Sequence, residues 1–353
     1  MFRQLFDPVS STYTYLLGCD ESRDAVVIDP VFEQHARDTA LVRELGFNVR
    51  YVLDTHIHAD HVTSAWLMRT SMNAEIVLSR RYGVEEVDVA VDQGDVLGFG
   101  NCSLTVRATP GHTNGCLTYV TSDQDMAFTG DCLMIRGAGR TDFQAGDVHV
   151  MWRSIREQIF TLPDECLVYP GHDYSGRTVS TVGEEKRFNP RIGGDAREED
   201  FVGYMENLGL AHPKLIDIAV PANLKSGRPE NDVMPQEVTW GPVTETFAGV
   251  PEIRPDWVAR HLDELFVLDV RSAGEFEGDI GRLEGAHLIP LDQLRQRLGD
   301  VPHHRPVVVV CQSGKRSAMA TEILLSSGYE RVANVAGGLI QWSRLALPFQ
   351  LTE

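Results

Sequence analysis

Short apolar runs punctuate about the first 220 residues. Ala25-Val26-Val27-Ile28 and Tyr51-Val52-Leu53 have strand character and alternate with helical stretches and with turns rich in Gly, Asp and His. The alternation predicts an α/β unit, and the histidines fall in its turns. From Lys225 to Glu252 the pattern fades: KSGRPENDVMPQEVTWGPVTETFAGVPE is rich in Pro, Gly and polar residues, which reads as a linker. Beyond it, Leu265 to Val270 and Val307 to Val310 predict two more strands. The second leads through a Gly-containing loop into the helical pattern AMATEILLSSGY, which Gly328 is placed to end, and ERVANVAGG supplies a further strand. The expected organisation is a first domain over 1–230, a linker over 231–251 and a smaller α/β domain over 252–353, with no internal repeat.

Composition narrows the function. With 42% hydrophobic and 24% charged residues, each half of the 353-residue chain can bury its own core. A formal charge of -19 argues against nucleic acid or an anionic membrane as partner, because such surfaces need clustered Lys and Arg. An anionic ligand must therefore meet a local basic pocket. No run of 18 apolar residues appears, and MFRQLFDPVSSTYTYLL lacks the order of a signal peptide, so a cytoplasmic protein is expected. The six cysteines are scattered without a CxxC pair, which suits a reducing compartment.

The densest chemistry follows the strand VRYVL, where Asp54-Thr55-His56-Ile57-His58-Ala59-Asp60-His61 packs three imidazoles and two carboxylates into eight residues. Thr109-Pro110-Gly111-His112-Thr113, Thr129-Gly130-Asp131 and Tyr169-Pro170-Gly171-His172-Asp173 each add a His or Asp in a turn after β-like sequence. Any one of these histidines alone would read as a satisfied core or surface residue. Together, four loops can converge on one metal centre.

The set resembles the metallo-β-lactamase fold, in which HxHxDH, a later His, an Asp and a last His line the edge of an αββα sandwich, and the resemblance covers the first two-thirds of the chain. All seven ligands of its two-zinc glyoxalase II branch are present, with His56, His58 and His112 on one metal, Asp60, His61 and His172 on the other, and Asp131 bridging. Ligand counting leaves a two-metal thioester hydrolase and a one-metal oxygenase both open. The surrounding segments IRGAGRTDFQ, GHDYSGRTVSTVGEEKRFNPR and AVPAN look like the persulfide dioxygenase branch instead. That resemblance implies one Fe(II) per chain on His56, His112 and Asp131, with His58, Asp60, His61 and His172 standing behind them. It implies glutathione contacts at Thr113, Arg140, Tyr174, Met205 and Leu210, and oxidation of glutathione persulfide by O2 to sulfite and glutathione. Two histidines and a carboxylate leave positions open on Fe(II) for substrate sulfur and O2, whereas zinc offers no redox chemistry.

A second centre is predicted at Val307-Val308-Val309-Val310-Cys311-Gln312-Ser313-Gly314-Lys315-Arg316-Ser317. A thiol between a buried strand and a helix N-terminus, beside Lys315 and Arg316, should be acidified and able to hold an anionic persulfide. A small buried Cys would explain the thiol alone but not the basic Gly-containing loop. The loop resembles the six-residue active-site loop of rhodanese sulfurtransferases, with Gln312 where the family usually has Arg. Supporting segments are Leu268-Asp269-Val270-Arg271, Gly285-Ala286-His287-Leu288-Ile289-Pro290, and Gly337-Gly338 with Trp342. The resemblance implies a small α/β domain with a parallel sheet and a double displacement. Cys311 takes sulfane sulfur from thiosulfate or glutathione persulfide and passes it to glutathione or sulfite, while Asp269, Arg271, Gln312, Ser313 and Gly314 shape the loop. A homo-oligomer is compatible with the sequence.

Overall fold

A computed structural model describes residues 1–349 except positions 85, 212, 231, 235–239 and 279. Parts of the expected linker, at 231 and 235–239, and of the expected second domain, at 279 and 350–353, lie outside the described residues. The chain divides into two units, Met1–Met234 and Pro235–Glu353.

In the first unit, six strands pair in chain order: β1 (Phe2–Asp7), β2 (Thr12–Gly18), β3 (Asp24–Ile28), β4 (Asn48–Leu53), β5 (Glu75–Ser79) and β6 (Val89–Val91). A second sheet runs through β7 (Val96–Phe99), β8 (Cys102–Ala108), β9 (Leu117–Thr121), β10 (Met126–Gly130), β11 (Leu167–Pro170) and β12 (Ser180–Thr181). The continuous apolar runs seen in sequence arise because each sheet is covered on both faces. Ile28 and Leu53 point into the layer between the sheets, where they share a core with Leu104, Tyr119 and Phe128. Their neighbours Val27 and Val52 point outward, against Leu41 of α1 (His35–Leu45) and Met68 of α2 (Ala65–Met72). The second sheet presents Val120, Ala127 and Val168 to Met151 of α3 (Val148–Ser154). The result is the expected αββα sandwich. It continues through α4 (Val182–Phe188), α5 (Glu198–Glu206) and α6 (Ile216–Asn223).

Strand direction positions the chemistry. β8, β9 and β10 are successively antiparallel and β10 runs parallel to β11, so β8, β10 and β11 all end at one edge. His112, Asp131 and His172 follow those three ends. β3 and β4 are parallel in the other sheet and end just before Asp29 and Asp54.

The second unit contains one sheet in the order β13 (Thr244–Glu245), β14 (Pro251–Ile253), β18 (Val332–Val335), β17 (Val307–Val310), β15 (Phe266–Asp269) and β16 (His287–Leu288). Its helices are α7 (Pro255–Arg260), α8 (Ala273–Phe276), α9 (Lys315–Ser326) and α10 (Gly338–Arg344). All neighbouring strands are parallel except β13, which is antiparallel to β14. The sheet is therefore mixed, and β13 lies within the stretch expected to be linker. A two-residue, exposed edge strand carries no apolar alternation by which sequence could reveal it. Among the described residues no helix is long and apolar enough to cross a membrane.

Candidate metal centre and thiol loop

His56, His112 and Asp131 each place a ligand atom within 4.8 Å of the others. Hydrogen bonds decide which atoms are free. The Thr55 hydroxyl donates to Asp29 Oδ2 at 2.8 Å, so it accepts from His56 Nδ1 at 3.0 Å and leaves His56 Nε2 without that duty. His112 Nδ1 donates to the Arg140 carbonyl at 2.6 Å, leaving Nε2 3.7 Å from Asp131 Oδ2. Asp131 Oδ1 accepts from His172 Nδ1 at 2.7 Å. Burial, His58 and His112 push the His56 imidazole well below its ordinary pKa. Burial pushes the Asp131 carboxyl up, but His172, His112 and His56 hold it well below the usual carboxylate range. Neutral imidazole and ionised carboxylate are the states that a divalent cation requires, so the donor set fits a metal.

Small residues permit this approach. A Cβ on Gly139 would stand 2.4 Å from the Asp131 carbonyl oxygen and 3.0 Å from His112 Nδ1, which accounts for the second glycine in IRGAGRTDF. The histidine loop is held from beneath by residues the sequence reading did not single out. Asp29 accepts the Thr55 N–H at 2.6 Å and lies 3.2 Å from His58 Nε2. Asn223, the last residue of AVPAN, donates to the His58 and His61 carbonyls at 2.9 Å each and accepts the Thr63 N–H at 2.8 Å.

His58, Asp60 and His61 form a second trio within 4.8 Å. His172 lies between the two carboxylates, 2.9 Å from Asp60 Oδ2, and they hold its pKa well above ordinary although burial opposes this. His58 Nδ1 and His61 Nε2 are buried without a partner.

His112 and Asp131 also line a cavity of about 880 Å³, whose wall includes Arg140, Tyr174 and Leu210. Tyr174 lies parallel to His172 with ring centroids 6.0 Å apart. Two glutathione contacts implied by resemblance are absent from the wall. Thr113 is fully buried, with its hydroxyl 2.5 Å from Tyr82 Oη and 3.1 Å from Cys116 Sγ, and Met205 packs in the core cluster with Phe201. Arg140 is also committed, to Asp142 and to two backbone carbonyls. Arg177, Arg191 and Lys214 line the cavity with no carboxylate partner among the described residues.

In the second unit, four buried valines of β17 deliver Cys311 to a loop closed by Gly314, whose φ of 86° caps α9. Cys311 Sγ accepts from the Ser317 N–H at 3.4 Å and the Ser317 hydroxyl at 3.3 Å. Burial raises the thiol pKa, but Ser317 and the N–H groups of Ser313 and Gly314 outweigh it and bring it below its ordinary value. Arg271 is wholly buried and pairs with Asp269 at 2.8 Å, bracing the turn after β15. Lys315 and Arg316 open the helix rather than the loop. Arg316 grips both oxygens of Glu275, at 2.6 and 2.7 Å, and Glu275 also accepts from the N–H and hydroxyl of Ser272.

The Metallo-beta-lactamase superfamily pattern matches residues 7–172, and the Rhodanese-like domain pattern matches 254–345. "Persulfide dioxygenase ETHE1, mitochondrial" of Mus musculus is 51% identical over 228 residues, covering 64% of this chain and 89% of that protein. The chain belongs to the persulfide dioxygenase family. Beyond the region shared with the ETHE1 protein, this member carries a C-terminal rhodanese-like domain. The crystal structure of ETHE1 from Myxococcus xanthus superposes with a TM-score of 0.62 at 51% identity, over 64% of this chain and 99% of that one. A metallo-beta-lactamase from Staphylococcus aureus shares the fold alone, with 24% identity and a TM-score of 0.61 over 95% of this chain and 98% of that one. Family and fold class are thus as the motifs implied, and the chemistry is that of sulfur metabolism.

Proposed function

We propose that the first unit uses one Fe(II), held by His56, His112 and Asp131, to oxidise glutathione persulfide with O2. The observation that carries this reading is the convergence of His56, His112 and Asp131 beside a roomy cavity, which His112 and Asp131 line and whose wall holds cations with no carboxylate partner among the described residues. A tripeptide with two carboxylates needs such cations, and the other wall arginines, Arg136 and Arg140, are already neutralised. Bound Fe(II) would supply the redox chemistry with O2 that zinc lacks. The chain's own residues bind and orient. Arg177, Arg191 and Lys214 hold the carboxylates, Tyr174 and Leu210 flank the thiol end, and His172 keeps a proton between Asp131 and Asp60. One O2 and one water convert the persulfide to sulfite, glutathione and two protons.

The second unit transfers sulfane sulfur through Cys311, from thiosulfate or glutathione persulfide to glutathione or sulfite. Its support is the acidified thiol among converging N–H donors. The free cysteines accord with the reducing cytoplasm.

The test of the first reading is O2 uptake by protein reconstituted anaerobically with one equivalent of Fe(II) and given glutathione persulfide, beside His112→Ala and a metal count. Uptake with sulfite formed, lost in the variant, is expected. The buried, partnerless His58 Nδ1 and His61 Nε2 favour a second reading, a two-zinc thioester hydrolase of glyoxalase II type. Two zinc ions per chain, no O2 uptake and cleavage of a glutathione thioester would establish it instead.

A further inference from the structure

The cations expected to serve Cys311 are not equivalent. Arg316 stands in the first turn of α9, directly after the Cys311 loop, yet both terminal nitrogens of its guanidinium are bound by Glu275. Glu275 is itself fixed: the Ser272 capping box holds it, and Arg271, wholly buried, donates to its backbone carbonyl at 3.0 Å. Arg316 pulls the Glu275 carboxyl down to about 2, so the pair stays ionised throughout the neutral range and its charges cancel. Lys315 alone is left, exposed and with no carboxylate partner among the described residues.

We propose that the Glu275–Arg316 pair sets the sulfur-donor preference of Cys311, disfavouring thiosulfate and leaving alkyl persulfides, such as glutathione persulfide, as the donors of choice. The inference rests on the reading of Cys311 as a sulfurtransferase nucleophile. In either reaction the Cys311 thiolate attacks the outer sulfane sulfur, a new S–S bond forms at Cys311, and the donor S–S bond breaks. The electron pair of that bond leaves on sulfite or on glutathione thiolate, with no external oxidant or reductant. With thiosulfate, two donor charges meet the thiolate charge within a few bonds. With an alkyl persulfide, the reacting end brings at most one. The loop N–H donors serve both donors alike, so the extra charge must be met by side-chain cations, and Glu275 has removed one of the two. By microscopic reversibility the same barrier slows return of sulfur to sulfite.

The test measures persulfide formation on Cys311 in the full chain by mass spectrometry, with sodium thiosulfate and with glutathione persulfide, anaerobically so that the first unit consumes no persulfide. Cys311→Ser is the blank. Glu275→Gln should raise the specificity constant for thiosulfate about tenfold and change that for glutathione persulfide less than about twofold, the contrast expected when a nearby partly exposed charge is removed. Glu275→Asp should restore the parent ratio. Ser272→Ala removes the cap but keeps the ion pair, so it should leave the ratio unchanged. A ratio unmoved by Glu275→Gln, or moved as far by Ser272→Ala, overturns the inference while leaving the transferase reading intact. Failure of both donors to persulfidate Cys311 overturns the transferase reading and the inference with it.

Discussion

Arg140 holds Asp142 through two parallel hydrogen bonds of 2.6 and 2.7 Å, and the same guanidinium donates to the Leu210 and Ala211 carbonyls at 3.3 and 2.8 Å. The arginine that resemblance implies as a glutathione contact thus also shapes the cavity wall. Asp142→Ala releases one side of this clamp. It should raise KM for glutathione persulfide about fivefold with kcat changed less than about twofold, the signature of lost binding rather than lost chemistry. A fall in kcat at constant KM would reject that role for the clamp.

Gly338 tests the architecture beneath the thiol. Its φ is 58°, and an added Cβ would meet the Cys311 carbonyl oxygen at 2.4 Å and the Gly314 nitrogen at 2.6 Å. The N–H groups of Leu339 and Ile340 bind the Cys311 and Gln312 carbonyls at 2.9 Å each, so the loop cannot shift away freely. Gly338→Ala should destabilise the second unit by about 2–4 kcal/mol and abolish persulfidation of Cys311, with O2 uptake retained. Chemical denaturation followed at Trp342 fluorescence, beside both assays, checks this. Normal transfer in a stable variant would show that the loop tolerates the displacement.

The sequence was most legible where candidate ligands crowd together. His56, His58, Asp60 and His61 lie within one turn after a strand, so a single loop carries them wherever the remaining chain goes. His112, Asp131 and His172 were legible because each follows a strand, and the shared direction of β8, β10 and β11 brings those ends together. Asp29 was the same signal in weaker form, a lone carboxylate after VVI. Side-chain direction was not legible: Thr113 is adjacent to a ligand yet turns to Tyr82 and Cys116, and Met205 turns into the core. Glu275 had a readable cue in Ser272-x-x-Glu275, a capping-box spacing, but its grip on Arg316 joins residues 41 positions apart.

Cys311 gives a pH dependence with a definite sign. Hydrogen bonds from Ser317 and the loop amides bring its pKa below the ordinary value against the effect of burial. The thiolate therefore persists to lower pH than that of an ordinary cysteine. Arg316, held by Glu275, keeps its charge throughout. Ser317→Ala removes the hydroxyl donor at 3.3 Å and should move the midpoint of iodoacetamide alkylation to higher pH. Alkylation should slow severalfold at pH 7 and match the parent well above the midpoint, because the thiolate itself is unchanged. Coincident profiles would remove Ser317 from the acidifying set.

Asp38 offers a stability change at a residue outside the candidate ligand set and the thiol loop. Its Oδ1 accepts from Arg37 Nε at 2.8 Å, while its Oδ2 is buried with no partner. Burial raises its carboxyl to about 6, with Arg37 opposing and Asp7 adding to the rise. Because the folded value lies above the ordinary 3.8, folding favours the protonated form. Its contribution to stability is greatest below the ordinary value, falls as pH rises from there to about 6, and is flat above. Asp38→Asn removes the charge that the fold disfavours. The variant should be more stable than its parent by about 1–3 kcal/mol at pH 7.5 and by less at pH 5. Melting temperatures of both proteins at the two pH values check the sign. A variant less stable by the same amount at both would mean that the Arg37 hydrogen bond outweighs the burial of charge.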